Sequence, residues 1–185
     1  MRVAVVQLSS STVPAENLVL MRDALAALPA ADPAGRPPAD LVVFPEATMA
    51  SFAARSAEVA EPLDGPFADG VRALASEFGT TIAVGMFTPA DAGRCRNTLL
   101  VTGAAGEASY DKLHLFDAFG FAESDHVVPG GAPVDVEVGG VRVGLAICYD
   151  LRFPDLFTWY ARAGAQVVIV PASWQSGPGK VDQWR

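Results

Sequence analysis

The sequence predicts an α/β protein in which mixed parallel and antiparallel strands are covered by helices. Three observations predict it. Val-rich apolar runs alternate with amphipathic stretches over residues 2–78, the middle of the chain turns to strands separated by polar turns, and a hairpin signal, a helix and a last apolar run follow. With 185 residues, 51% of them apolar and 18% charged, the chain can bury one core, so a single domain over residues 1–185 is expected.

Each element has its local reason. "RVAVVQL" (Arg2 to Leu8) reads as a buried strand because it is rich in Val. Leu18, Met21, Leu25 and Leu28 recur at spacings of three and four behind Pro14, which predicts a helix over Ala15 to Leu28. "PAADPAGRPPAD" is a surface loop, and "LVVF" (Leu41 to Phe44) a second buried strand ended by Pro45. Phe67, Val71, Leu74 and Phe78 predict a second helix, with Asp64 as its cap and Pro66 in its first turn. "TTIAVGMF" and "RNTLLVT" are strands joined by the turn Asp91-Ala92-Gly93-Arg94, and "GAAGEASYDK" is a turn and short strand leading to Lys112. "VDVEV" and "VRVGLAIC" flank Gly139-Gly140, a two-residue hairpin signal. A helix over Pro154 to Ala163 and the strand "QVVIVPA" follow.

Charge and composition exclude several classes. The 13 basic and 21 acidic side chains give a net charge of −8, and no basic cluster is present to neutralise a phosphate backbone, so nucleic acid is not an expected partner. Two cysteines make no disulfide framework, which favours a reducing, cytoplasmic compartment. "MRVAVVQLSS" is too short an apolar run for a secretory signal, and no stretch approaches the roughly 18 continuous apolar residues that span a bilayer. His114 and His126 lack partners at ligand spacing, so no metal is expected, and His114 is read as a packing or positioning residue. Gly103 to Gly106 lacks the Lys-Ser/Thr of a phosphate loop. Cys95, in a polar turn, is expected to be an exposed thiol.

Three polar residues stand where apolar strands give out: Glu46 after "LVVFP", Lys112 after "ASYD" and Cys148 after "VGLAI". In sheets covered by helices, sites form beyond the carboxyl ends of strands. A carboxylate can take a thiol proton, a thiolate is a nucleophile, and an ammonium stabilises developing negative charge. The bland alternatives are a solvated loop acid, a surface lysine and a small core residue, and spacing alone does not decide between the two sets.

The local words are more specific. "LVVFPEA", "YDKLHLFD" and "GLAICYDLRFPDL", in this order, resemble the nitrilase superfamily of carbon–nitrogen hydrolases, and "VAVVQL", "FAES" and "VVIVPASW" followed by "GPGKVDQW" extend the resemblance along the chain. The resemblance implies an α-β-β-α sandwich and amidase chemistry on a Glu46, Lys112 and Cys148 triad, with no organic cofactor or metal. It further implies that Glu123 supports the lysine, that the Tyr149 N–H helps hold an oxyanion, and that Trp174 lies against substrate. "CYDLRFP" and "KLHLFD" look most like the branch acting on ω-amides of small dicarboxylic acids and on deaminated glutathione. A nitrilase or N-carbamoyl amino-acid hydrolase is the alternative. Arg152 can hold a substrate carboxylate or pair with Asp155. Trp159 and Tyr160 fall on the helix where family members dimerise, so a homodimer or higher oligomer is expected, with core burial as the other reading. Family members continue past the segment that ends here at Arg185. The expectation is therefore a fragment, a truncated product, or a protein without that layer, and a silent remnant or interaction module stays open as a reading of another class.

Overall fold

A computed structural model describes residues 1–29, 35–104, 106–174 and 180–181. Part of the Pro/Ala loop and most of "GPGKVDQW" lie outside the described residues. Strands β1 (Val3–Val5), β2 (Leu41–Val43), β3 (Thr81–Pro89), β4 (Cys95–Gly103) and β5 (Gly106–Asp111) form one sheet in chain order. The first three are parallel, and β3–β4 and β4–β5 are antiparallel. Strands β6 (Asp117–Ala118) and β7 (Phe121–Ala122) make a small separate hairpin. A second sheet has the order β10 (Val167–Ile169), β9 (Val141–Leu145), β8 (Asp135–Val138), with β10 parallel and β8 antiparallel to β9.

Strand alternation decides the layers. Val42 and Phe44 face helices α1 (Pro14–Ala26) and α3 (Pro66–Phe78), joining Met21, Leu25, Phe67, Val71 and Leu74 in one core. Leu41 and Val43 point the other way, into a core shared with Val143, Leu145 and Ile147 of the second sheet. On that sheet's far face Ala146 meets Leu156 and Tyr160 of helix α4 (Pro154–Arg162). The order of layers is helix, sheet, sheet, helix, the sandwich that the sequence motifs imply. The predicted hairpin turn is present: Gly139 and Gly140 both have positive φ, 56° and 75°, as a type I′ turn demands.

Several expectations are corrected. The first strand is a short edge, with Val5 81% exposed. In register with Val43, it faces between the sheets, and among the described residues the second sheet does not cover it. Asp64 does not cap α3. The cap residue is Gly65, and the Glu61 carboxylate accepts the Phe67 N–H at 2.7 Å instead. Cys95 is not an exposed thiol but a fully buried first residue of β4, and burial raises its pKa to about 11. The short helix α2 (Ser56–Val59) and the β6–β7 hairpin had no signal in the apolar periodicity. Tyr160 is core, whereas Trp159 is 43% exposed. No helix of the described residues is long and apolar enough to cross a membrane.

Candidate active site

Glu46 follows β2 on a segment laid along β3. Phe44 N–H donates to Ala83 O at 2.8 Å, Gly85 N–H to Pro45 O at 3.3 Å and Met49 N–H to Gly85 O at 3.0 Å. Contact is so close that a Cβ on Gly85 would lie 2.6 Å from Ala47 N and 2.8 Å from Glu46 Cα. Both clashing atoms are backbone, so Gly85→Ala moves Glu46 and not a side-chain tip. Because a misplacement of about 1 Å can cost roughly 100-fold in rate, Gly85→Ala is expected to lower activity about that much while the protein still folds. Activity unchanged in a folded variant would show that Glu46 does not depend on this contact.

Lys112 leaves the end of β5 with its N–H on Asn97 O at 2.9 Å and its O accepting the Gly130 N–H at 2.9 Å. Its side chain is buried, and Nζ lies 3.1 Å from Glu46 Oε1 and 2.9 Å from Glu123 Oε2. Glu123 opens the turn after β7 and is held by Phe116, whose N–H donates to Oε2 at 2.7 Å. Asn97 Nδ2 donates to both acids, to Glu46 Oε1 at 2.9 Å and to Glu123 Oε1 at 3.2 Å. The other Glu46 oxygen, Oε2, accepts the Ser173 N–H at 2.9 Å.

Cys148 begins the 3-10 turn Cys148–Arg152 just past β9, with φ at +46°, a conformation that side-chain-bearing residues seldom adopt. Asp150 holds the turn in place. This fully buried carboxylate accepts from Ile147 N–H at 2.9 Å, Tyr110 O–H at 2.7 Å, His114 N–H at 2.9 Å and the His114 ring at 2.7 Å. The His114 ring also stacks on Phe153, centroids 3.7 Å apart, so it packs and positions as expected. Cys148 N–H donates to Pro171 O at 2.9 Å, and Trp174 Nε1–H donates to Cys148 Sγ at 3.0 Å.

The charges follow from this packing. Burial pushes the Cys148 thiol up to about 12, and the neighbouring Glu46 carboxylate adds to it against the opposing pull of Lys112 and Trp174. Burial works against a charged Lys112, but Glu46, Glu123 and Cys148 outweigh it and hold the ammonium firmly protonated. The site thus holds a thiol kept neutral and an ammonium kept charged, beside the side chains of Glu46 and Glu123. Such a thiol becomes a nucleophile only as its proton passes to a base, and Glu46 is the neighbouring acid whose charge it feels.

Glu46, Lys112, Glu123 and Cys148, far apart in sequence, are thus brought together. Tyr149 follows the thiol, its ring edge-on to Phe116 and Phe153. Trp174 reaches the sulfur itself. Arg152 ends the cysteine turn and is exposed. Asn97, Tyr110 and Asp150 went unremarked in the sequence. Asn97, between Arg96 and Thr98 at the start of β4, had no signal beyond being the one amide on that strand; for Asp150 there was only its place two residues past the cysteine. Among the described residues, no group of three or more His, Cys, Asp or Glu side chains could hold a metal ion.

Comparison with known proteins finds similar sequences and structures along the chain. A hydrolase of Mycobacterium tuberculosis is 52% identical over 188 residues, covering 100% of this chain and 65% of its own length. The deaminated glutathione amidase of Escherichia coli is 39% identical over 150 residues, 78% of this chain and 57% of that protein. Human omega-amidase is 31% identical over 186 residues, 96% of this chain and 65% of that enzyme. The chain therefore spans about 65% or less of these relatives' lengths. Among solved structures, a superfamily protein of Xanthomonas campestris with an arsenic adduct in its active site superposes with a TM-score of 0.82 at 27% identity, over 100% of this chain and 68% of that one. A variant of the amidase of Nesterenkonia sp. AN1, carrying the product of Michael addition of acrylamide at its active-site cysteine, gives 0.78 at 28% identity, over 98% and 70%. The carbon-nitrogen hydrolase family model matches residues 2–185, and the chain belongs to that family.

Proposed function

We propose that the chain hydrolyses an amide of a small carboxylic acid and releases ammonia through a thioester on Cys148. The observation that carries this reading is the buried convergence of one thiol, two carboxylates and one ammonium at the end of the sheets. Buried ionisable groups with strongly displaced pKa values are enriched where chemistry is done.

The steps balance. Glu46 takes the Sγ proton as the sulfur attacks the amide carbonyl carbon, and the carbonyl π pair moves onto oxygen. Lys112 and the Tyr149 N–H stabilise that oxyanion. As it collapses, the C–N bond breaks and protonated Glu46 gives its proton to the departing nitrogen, so ammonia leaves and a thioester remains. Water then attacks the thioester carbonyl carbon as Glu46 takes its proton, the C–S bond breaks to free the carboxylic acid, and Glu46 returns the proton to Sγ, which restores the thiol. Glu123 keeps the Lys112 ammonium in place, and Trp174 orients the sulfur lone pairs while lying along the acyl group.

Arg152 is assigned the substrate's free carboxylate, in keeping with relatives that include a deaminated glutathione amidase and an omega-amidase. The protein is further proposed to act in the cytoplasm as a homodimer or higher oligomer, with exposed Trp159 of α4 in the contact. Ammonia release from a panel of small ω-amide acids, nitriles and N-carbamoyl amino acids tests the reading. Release from the ω-amides, with KM raised at least tenfold for acid substrates alone in Arg152→Ala, is the expected result. Preference for nitriles or carbamoyl compounds would move the substrate class, and a folded protein releasing nothing would mark a site retained without turnover.

A further inference from the structure

Asn97 lies fully within the protein, 1% exposed, in the middle of the charged cluster. Its amide nitrogen and the Lys112 ammonium each contact the same two atoms, Oε1 of Glu46 and Oε1 of Glu123, at 2.9 and 3.2 Å for Asn97 and 3.1 and 3.2 Å for Lys112. Two donors and two acceptors close a four-cornered ring. The Asn97 oxygen, by contrast, is buried without a hydrogen-bond partner among the described residues. Turned the other way, that oxygen would face two carboxylates, so the acids dictate the amide's orientation. Asn97 O also receives the Lys112 N–H at 2.9 Å, so one residue sets both the lysine's backbone and the acids' spacing.

The ring has a consequence for the proton. A carboxylate oxygen offers two lone-pair directions. Glu46 Oε1 fills both, with Lys112 and Asn97, whereas Oε2 accepts only the Ser173 N–H among the described residues. We infer that Asn97 is a positioning residue that ties Glu46 and Glu123 to Lys112 and leaves Oε2 as the oxygen that receives the Cys148 proton. The inference rests on the reading of Cys148 as nucleophile and Glu46 as its base. Among the described residues, the titratable groups that face Glu46 are Lys112 beyond β5, Glu123 beyond β7 and the Cys148 thiol beyond β9. Without the amide, the two carboxylates lose shared donors, their anionic forms are less favoured, and the pair takes up a proton at higher pH.

The test follows the rate of Cys148 alkylation by iodoacetamide against pH, read on the Cys148 peptide so that Cys95 does not contribute. Asn97→Leu, close in shape but without donors, is expected to move the acid limb of that profile up by about one pH unit. Adding Glu123→Gln removes the repelling charge and is expected to restore the limb, which a merely structural role for Asn97 would not allow. Should the leucine variant not fold, Asn97→Asp keeps the shape, and a limb moved up at least as far is expected. A folded Asn97 variant whose profile superimposes on the wild type overturns the inference, as does a displaced limb that Glu123→Gln leaves displaced. Glu46→Gln separates the underlying reading: it abolishes the limb if Glu46 is the base, whatever Asn97 does.

Discussion

Cys148→Ala is expected to fold and to release no ammonia from any substrate that the wild-type protein hydrolyses. No other thiol can substitute, because Cys95 is packed in the core on the far side of the first sheet. Removing a nucleophile from a site whose other members act only through it typically lowers turnover by roughly four to six orders of magnitude. The covalent species disappears with it, so intact mass after substrate exposure should show an acyl adduct on the wild type and none on the variant. Turnover retained in Cys148→Ala would sink the thioester mechanism.

The same substitution has a signature in stability. The thiol's pKa is raised from 9.0 to about 12 in the folded protein by burial and by Glu46. Above pH 9.0 the unfolded chain loses this proton while the folded protein keeps it. Stability from this group is therefore complete below pH 9.0 and is lost as pH rises toward about 12. Cys148→Ala should accordingly lose stability less steeply than wild type across that window in denaturant titrations. Equal slopes would show that the thiol is not held neutral by the site.

Lys112→Met should have the largest effect on the folded state. It keeps the length of the side chain and deletes the one cation between Glu46 and Glu123, both almost fully buried. Breaking a buried pair by removing one partner costs about 3–5 kcal/mol, because the remaining charge has no compensation. Here two acids are left facing each other, so at least one is driven to stay protonated. A carboxylate whose folded pKa is raised contributes stability that is complete in acid and is lost as pH rises. The variant should be most stable at mildly acidic pH and weaken toward neutrality, and Glu123→Gln added to it should recover part of the loss. Activity should vanish with the oxyanion's cation. A Lys112→Met protein as stable at neutral pH as in acid would show that the two acids do not feel each other.

How much of this was legible in the chain differs from element to element. The α3 helix showed in its four-three-four apolar spacing, and the β8–β9 hairpin in Gly139-Gly140, because both signals depend on neighbours in sequence. The exposure of β1 was not legible: Val3 and Val5 carry the composition of a buried strand, and among the described residues the second sheet leaves them uncovered. Cys95 misled for the same reason in reverse, since the polar turn before it gave no hint that the strand's first side chain points inward. The cap of α3 came from Glu61, an acid outside the usual window, because the turn Pro62–Gly65 folds it back onto the helix start.

By itself the sequence determined the class of fold and the family motifs, and it named the three groups proposed to react: an acid after β2, a lysine after β5 and a thiol after β9. These are properties of residue type and local order, which a linear string carries in full. Tertiary structure alone decided how the groups meet. The Asn97 amide spans two acids from strands and turns far apart in the chain, Gly85 lets Glu46 lie against β3, and Asp150 anchors the cysteine turn to Tyr110 and His114. Each of those contacts depends on the pairing register of strands and the approach of one sheet to another. Such distances arise only when the core closes, and no local pattern encodes them.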